Sequence, residues 1–204
     1  LEKWKAAFLK SAGYELTRQI YPHLLTEMWT SVAPSNTGAN AGAISKNINL
    51  GVSGTPRAVT SANFHQFLND IQQVLDESLA PQDGRFIVLP PIAVNIAKGS
   101  ELRLAYATGL GSSPLVNGKL PEKIAGFTWL QSLQVPSVVD GAVRAYHIVA
   151  GCKMATAFAA QIENSRTVSD KDDWANYYQG LTVYGFKVLY PDALVHAYAS
   201  FSAS

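Results

Sequence analysis

The side chains of this 204-residue chain that could do chemistry are four histidines, one cysteine and a short run of aspartates. His23, His65, His147 and His196 show no metal-ligand spacing and no helical pair motif, so they read as surface or core residues. Cys152, placed by the pattern at the start of a helix, could act as a nucleophile with a lowered pKa. No base is recognisable beside it, and the reading is a small buried residue. Gly109-Leu110-Gly111-Ser112 has the look of a phosphate-cradling turn, but it neither follows a clear strand nor opens a clear helix. It reads as a solvent-exposed loop. Asp170, Asp172 and Asp173 could bind a cation; a helix capped by Ser169, with the three carboxylates opposing its dipole, needs fewer assumptions. Tyr184, Phe186 and Tyr190 could stack on nucleic-acid bases. Packing against the first helix is favoured, because the opposite face of that strand (Leu181, Val183, Leu189) is also apolar and would need cover of its own. An enzyme would require a pocket with convergent titratable groups, and no such constellation shows in the sequence. No catalytic, cofactor-binding or metal-binding residue is assigned, and an α+β enzyme is the weakest reading of the chain.

Composition narrows the classes further. Apolar residues make up 48% and charged residues 15%, with a formal net charge of +1. That charge load is low for the surface of a free-standing domain, so partners are expected to cover much of the surface. A near-neutral balance gives no basic field for tight nucleic-acid binding. A single cysteine excludes an internal disulfide framework. No apolar run reaches the roughly 18–20 residues of a membrane helix. The chain opens at Leu1 inside a helical pattern, so further residues are expected upstream.

The elements that must position these residues are legible in outline. From Glu2 to about Ser31, Trp4, Phe8, Ala12, Leu16, Ile20, Leu24 and Met28 recur every four residues. Four residues turn a helix by about 400°, so this stripe winds by about 40° per step and touches different neighbours along its length. Leu16 and Ile20 are expected to be buried, and Pro22 should bend or restart the helix near Tyr21. Residues 32–56, rich in Gly, Ala, Ser and Asn, read as a functional or mobile loop. A second helix runs from a cap at Thr60 or Ser61 to Leu79, with Phe64, Phe67, Leu68, Ile71, Val74, Leu75 and Leu79 on one face. Pro81 stops it. Arg85–Leu89 is a short apolar strand, and Pro91 can open a helix over Ile92–Lys98. A loop-rich stretch, Gly99–Pro121, carries the exposed segment Gly109–Ser113. Strands are expected at Lys123–Leu130 and Ala145–Ala150, a helix at Lys153–Glu163, then strands from Thr182 to Tyr190 and from Ala193 to Phe201. Without a βαβ repeat the class is α+β.

Five passages, in order, resemble a known family. Trp29 ends a helix placed like a long spine helix. Phe64–Leu79 followed by Asp83-Gly84-Arg85-Phe86-Ile87-Val88-Leu89-Pro90-Pro91 is similar to a helix, turn and G-R-(aromatic)-V-V-hydrophobic-P-P passage. Asn117-Gly118-Lys119-Leu120 with Lys123-Ile124-Ala125-Gly126-Phe127 resembles an N-G-x-(hydrophobic)…I-A-G-F stretch. Ala150-Gly151 with Ala155-Thr156-Ala157-Phe158-Ala159 is similar to an A-G…A-x-(aromatic)-A segment. Gly180-Leu181-Thr182-Val183-Tyr184-Gly185-Phe186-Lys187-Val188 and Tyr190-Pro191-Asp192-Ala193-Leu194 resemble a G-L-x-V-Y-G-x-K-V…P-(D/E)-A-L close. The family is that of tailed-bacteriophage major capsid proteins of the Hong Kong 97-type fold.

The resemblance implies a peripheral domain (1–54 and, after a return, 152–190) built on the spine helix. It implies a mixed-sheet axial domain (55–151), with a C-terminal strand (191–204) on the axial side. It also implies a structural subunit of an icosahedral phage head, self-assembling into pentamers and hexamers around a DNA genome. Its place would be the virion, after assembly in the host cytoplasm. Scaffolding, portal or cement proteins would be partners, contact with packaged DNA non-specific, and no membrane or cofactor involved. An encapsulin-like nanocompartment shell is the alternative within the fold. The family's N-terminal arm and extended hairpin loop would precede the first helix and are absent from these residues. Gln179 stands just before Gly180, where an isopeptide-forming member has Asn, so covalent cross-linking is not expected.

Overall fold

Phe64, Phe67, Leu68, Ile71, Val74 and Leu75 repeat at three- and four-residue intervals, and the helix α2 (Phe64–Glu77) turns all six onto one fully buried face. The computed structural model describes residues 2–100, 122–169 and 176–202. The other described helices are α1 (Glu2–Thr30) and α3 (Pro91–Gly99). Strands β1 (Arg57–Val59), β2 (Arg85–Leu89), β3 (Lys123–Ile124), β4 (Phe127–Gln131), β5 (Ser137–Asp140), β6 (Val143–Cys152) and β9 (Leu194–Phe201) form one mixed sheet. Strands β7 (Thr156–Ser169) and β8 (Asn176–Val188) form a separate antiparallel ribbon. The class is α+β, as the sequence implies. No described helix is long and apolar enough to cross a membrane.

The sheet runs β1-β9-β6-β2-β4-β3, with β5 also paired to β6. Strands β1 and β9 are parallel, as are β2 and β4; the remaining pairs are antiparallel. Side chains alternate along each strand, so the register sorts residues to two faces. Ile87, Ile148, Ala197 and Phe201 face α2, where Phe67 meets Phe201 edge-on at 6.4 Å and Phe64 approaches Trp129 at 5.8 Å. His147, Val149, His196, Phe86 and Val88 take the opposite face, toward the C-terminal part of α1. There Leu25 and Met28 are buried, and Trp29 lies against the two histidine rings. The core is therefore layered, α2 on one side of the sheet and the end of α1 on the other.

Helix α1 does not restart at Pro22. Proline has no N–H, so the carbonyl of Arg18, four residues earlier, loses its helical donor. Gln134, in the loop after β4, fills the gap: its Nε2 donates to Arg18 O at 2.8 Å. The neighbouring fold thus compensates the helix for its proline. Ile20 is half-buried rather than buried, and the side chain of Leu16 lies outside the described residues.

Several sequence expectations are corrected. Helix α2 begins at Phe64, because Asn63 folds back: its Oδ1 accepts from the Thr60 N–H and its Nδ2 donates to Ala58 O, so neither Thr60 nor Ser61 is the cap. Residues 32–56 are not a loose loop; a short 3-10 turn (Pro34–Asn36) and bridges Ala41–Ile48 and Val52–Thr55 fold them onto the core, with Ala41 and Leu50 fully buried. The strand expected at Lys123–Leu130 is a hairpin, β3–β4, because Ala125 and Gly126 both take positive φ, 51° and 76°, as a tight two-residue turn requires. The helix expected at Lys153–Glu163 is a single 3-10 turn (Lys153–Ala155) followed by β7. Its alanines favour helix, but β8 offers a ladder that runs the length of the strand, and tertiary pairing overrides local preference. Ser169 ends β7; the helix it was to cap, and the segments Gly109–Ser113 and Asp170–Asp173, lie outside the described residues.

Leu79 is the sharpest departure. It sits past the end of α2, not on its buried face, with φ 55° and 91% of its surface exposed. The Leu79 N–H donates to Asp76 O and the Ala80 N–H to Leu75 O, the bond pair of a left-handed helix stop normally served by glycine. A β-carbon there costs about 1 kcal/mol, and an exposed side chain recovers none of it by packing. Leu79→Gly is expected to raise unfolding stability by about 1 kcal/mol, read from urea denaturation. Gln134→Ala, which orphans the Arg18 carbonyl at a solvent-accessible site, should cost about 0.5–1 kcal/mol in the same assay.

Candidate interaction surfaces

Strands β7 and β8 pair over almost their full length, with one irregularity between Ile162 and Asn164. At about 3.3 Å per residue the ribbon is about 45 Å long. Phe158, Tyr177, Leu181, Val183, Tyr184, Leu189 and Tyr190 are all exposed on or next to it. The expected packing of this aromatic strand against α1 holds only in part: β8 meets α1, yet Tyr184 is exposed, Phe186 is half-buried, and the opposite apolar face, Leu181 and Val183, is open as well. Tyr184 and Phe186 stack on one another at 6.3 Å instead. A groove of about 950 Å³ runs between α1 and the sheet, with Tyr14, Tyr21, Leu25, Met28, Phe86 and Val88 among its walls. Clustered exposed apolar side chains of the kind the ribbon carries mark a candidate contact surface.

Electrostatics supply fastenings rather than a reactive centre. Arg85 is buried at the start of β2: its Nε donates to Pro81 O at 2.9 Å, and its Nη2 to Asp76 Oδ1 at 2.6 Å and Ala80 O at 2.7 Å. Cys152, opposite it on β6, is buried and gives its S–H to Pro81 O. Burial pushes that thiol up, against the opposing influence of Arg85. An inert thiol follows, and the helix invoked for a lowered pKa is only a three-residue 3-10 turn, Lys153–Ala155. His23 and His65 are exposed, His65 beside Asn69 on the next turn of α2, whereas His147 and His196 meet across β6 and β9 with 3.0 Å between Nδ1 and Nε2. Among the described residues no group of three or more His, Cys, Asp or Glu is placed to hold a metal ion.

Two fastenings have no sequence signal. Asn36 is fully buried and makes four side-chain bonds: Nδ2 donates to Asp192 O and Leu194 O, and Oδ1 accepts from Ser78 Oγ and Ser35 Oγ. Glu77, in the last turn of α2, accepts through Oε2 from the N–H groups of Ile44 and Ser45 and the Ser45 hydroxyl, and through Oε1 from Gln73. The Ile44 and Ser45 donors come from a turn 33 and 32 residues away, and only the fold brings them to Glu77.

No protein-family model and no curated protein matches the chain. Solved structures do. The chain is similar to one from Mycobacterium phage Che8 (TM-score 0.66, 19% identity, 97% of this chain and 64% of that one). It is similar to the capsid structure of cyanophage P-SCSP1u (TM-score 0.63, 11% identity, 98% and 66%). It is also similar to the asymmetric unit of the bacteriophage PhiM1 mature capsid (TM-score 0.60, 14% identity, 97% and 64%). At these identities what is shared is the fold. The chain spans 64–66% of the length of these solved chains.

The Glu77 clamp has a pH signature. Burial alone would raise its pKa, but the donors from Ser45, Gln73 and Ile44 outweigh it and hold it at about 2, against an ordinary 4.5. A depressed folded pKa gives stability that is present above about 4.5 and lost as pH falls toward about 2. Hydrogen exchange at residues 42–46 should therefore rise over that window. In Glu77→Gln the same residues should already be less protected at pH 7, and the acid step should vanish.

Proposed function

We propose that the chain is a structural subunit of an icosahedral phage head, a major capsid protein of the Hong Kong 97-type fold that self-associates into pentamers and hexamers around a DNA genome. The observation that carries the proposal is fold likeness over 97–98% of the chain to structures described as phage capsids. The exposed ribbon and the low charge fraction support it from the physical side. In this reading α1, residues 1–54 and residues 152–190 form the peripheral domain, and residues 55–151 with the C-terminal strand form the axial domain. The role is structural and not catalytic, and the site of action is the virion. Scaffolding, portal or cement proteins and non-specific contacts with DNA belong to the same reading.

The work is done by summed interfaces. A stable contact buries on the order of 1,600 Å² in total, and a shell subunit makes several, so closure turns modest contacts into a durable assembly. Electron microscopy and sedimentation of the purified protein should reveal capsomers or closed shells; monomer alone, up to the solubility limit, would count against the proposal. Leu181→Asp with Val183→Asp, both on exposed positions, should leave the far-UV spectrum and melting temperature unchanged while reducing assembly at least about tenfold.

A further inference from the structure

We infer that the seam between α1 and the sheet is an acid-labile latch, built from the His147–His196 pair beneath Trp29. The inference concerns the subunit itself and stands independently of the shell reading. The geometry is a relay of three side chains. Thr37 Oγ1, in the segment that follows α1, is 2.9 Å from His196 Nδ1; His196 Nε2 is 3.0 Å from His147 Nδ1. Trp29, in the last turn of α1, stacks on His147 with centroids 4.1 Å apart and planes 18° from parallel, and lies 5.2 Å from His196. The buried Trp29 Nε1 makes no hydrogen bond, so the indole holds the seam through its ring alone.

Proton counting decides what this arrangement tolerates. A neutral pair needs one ring nitrogen to donate across the 3.0 Å gap and the other to accept. A first extra proton is accommodated: His147 carries both N–H groups, donates from Nδ1 to His196 Nε2, and His196 donates from Nδ1 to Thr37. A second proton puts an N–H on both facing nitrogens, with no acceptor between them and two positive rings in contact. The relay cannot survive that state, and Trp29 loses the flat neutral surface on which it rests.

Among the described residues no carboxylate pairs with either histidine ring. From α1 the facing group is Trp29, from the following turn Thr37, and from β6 and β9 the rings of His147 and Tyr198, 5.0 Å apart. The carboxylate reached from this cluster is Asp140, which accepts from Tyr198 Oη and the Gly54 N–H. Arg144 lies one residue out of phase with the β6 face that carries His147. Burial lowers His147, and burial followed by the charge of His147 lowers His196 to about 4. For a histidine whose folded pKa lies below its ordinary 6.5, stability is full above 6.5 and is lost as pH falls toward about 4.

The test is hydrogen exchange of the intact protein between pH 7 and pH 3.5, corrected for intrinsic rates. Residues 24–30 should lose protection at least about tenfold with a midpoint between pH 4 and 5, while α2 keeps its own. His196→Gln and His147→Gln keep a polar side chain that cannot take a proton, and each should abolish that step. Retained protection in the native protein, loss only together with α2, or an unchanged step in both variants would overturn the latch. Should neither variant fold, the imidazole signals of the native protein decide: one ring titrating below pH 5 supports the inference, and both rings titrating near 6.5 refutes it.

Discussion

Asn36 is the point through which the rest of the fold is tied. Its amide joins the turn after α1 to the end of α2 through Ser78, and to the entry of β9 through the carbonyls of Asp192 and Leu194. These partners lie 42, 156 and 158 residues away. A buried amide that loses its partners pays roughly 1–3 kcal/mol per orphaned group, so the three segments must arrive together or not at all. Helix α1 then has one place to end, with Trp29 over the β6–β9 pair, and the strand from the far end of the chain has one place to enter.

That entry is narrow. Strand β9 lies between β1 and β6, and the Tyr198 N–H donates to Leu50 O where the loop before β1 runs alongside. Gly51, at φ 86°, sits so close to the Tyr198 carbonyl that any β-carbon would collide with it. Gly151 on β6 is crowded in the same way by Ala193 and Leu194. The centre of the sheet is thus assembled from opposite ends of the sequence. Non-local pairing of this kind makes folding slow relative to its local helices.

What the sequence made legible was whatever is locally periodic or locally punctuated. The apolar face of α2, the strand Arg85–Leu89 and the Pro91 helix start follow from spacing and proline chemistry, and the structure has them nearly residue for residue. The failures share a cause. Thr156–Glu163 has helix-favouring alanines, but its fate is decided by β8, a partner the local pattern does not contain. Leu79 belongs to the apolar series of α2 by spacing alone; the left-handed stop two residues after Glu77 breaks the helix before the series ends. The histidines read as scattered because they are 49 residues apart, and only the β6–β9 register makes them neighbours. Of the surfaces, the low charge fraction hinted that cover was missing, but nothing local said that most described side chains of β7 and β8 would be left exposed.

A two-stranded ribbon also has edges. One outer edge belongs to β7 and the other to β8, and each is a row of amides and carbonyls with no further strand beside it among the described residues. The two edges differ in sequence and in chain direction. A contact joining β7 of one copy to β8 of the next would leave an unlike edge free at either end and could continue, as a ring or a filament; a contact joining β7 to β7 would be self-complementary and would close that edge at two copies. Which edge is used would therefore set the symmetry: unlike edges favour growth, like edges a two-fold pair.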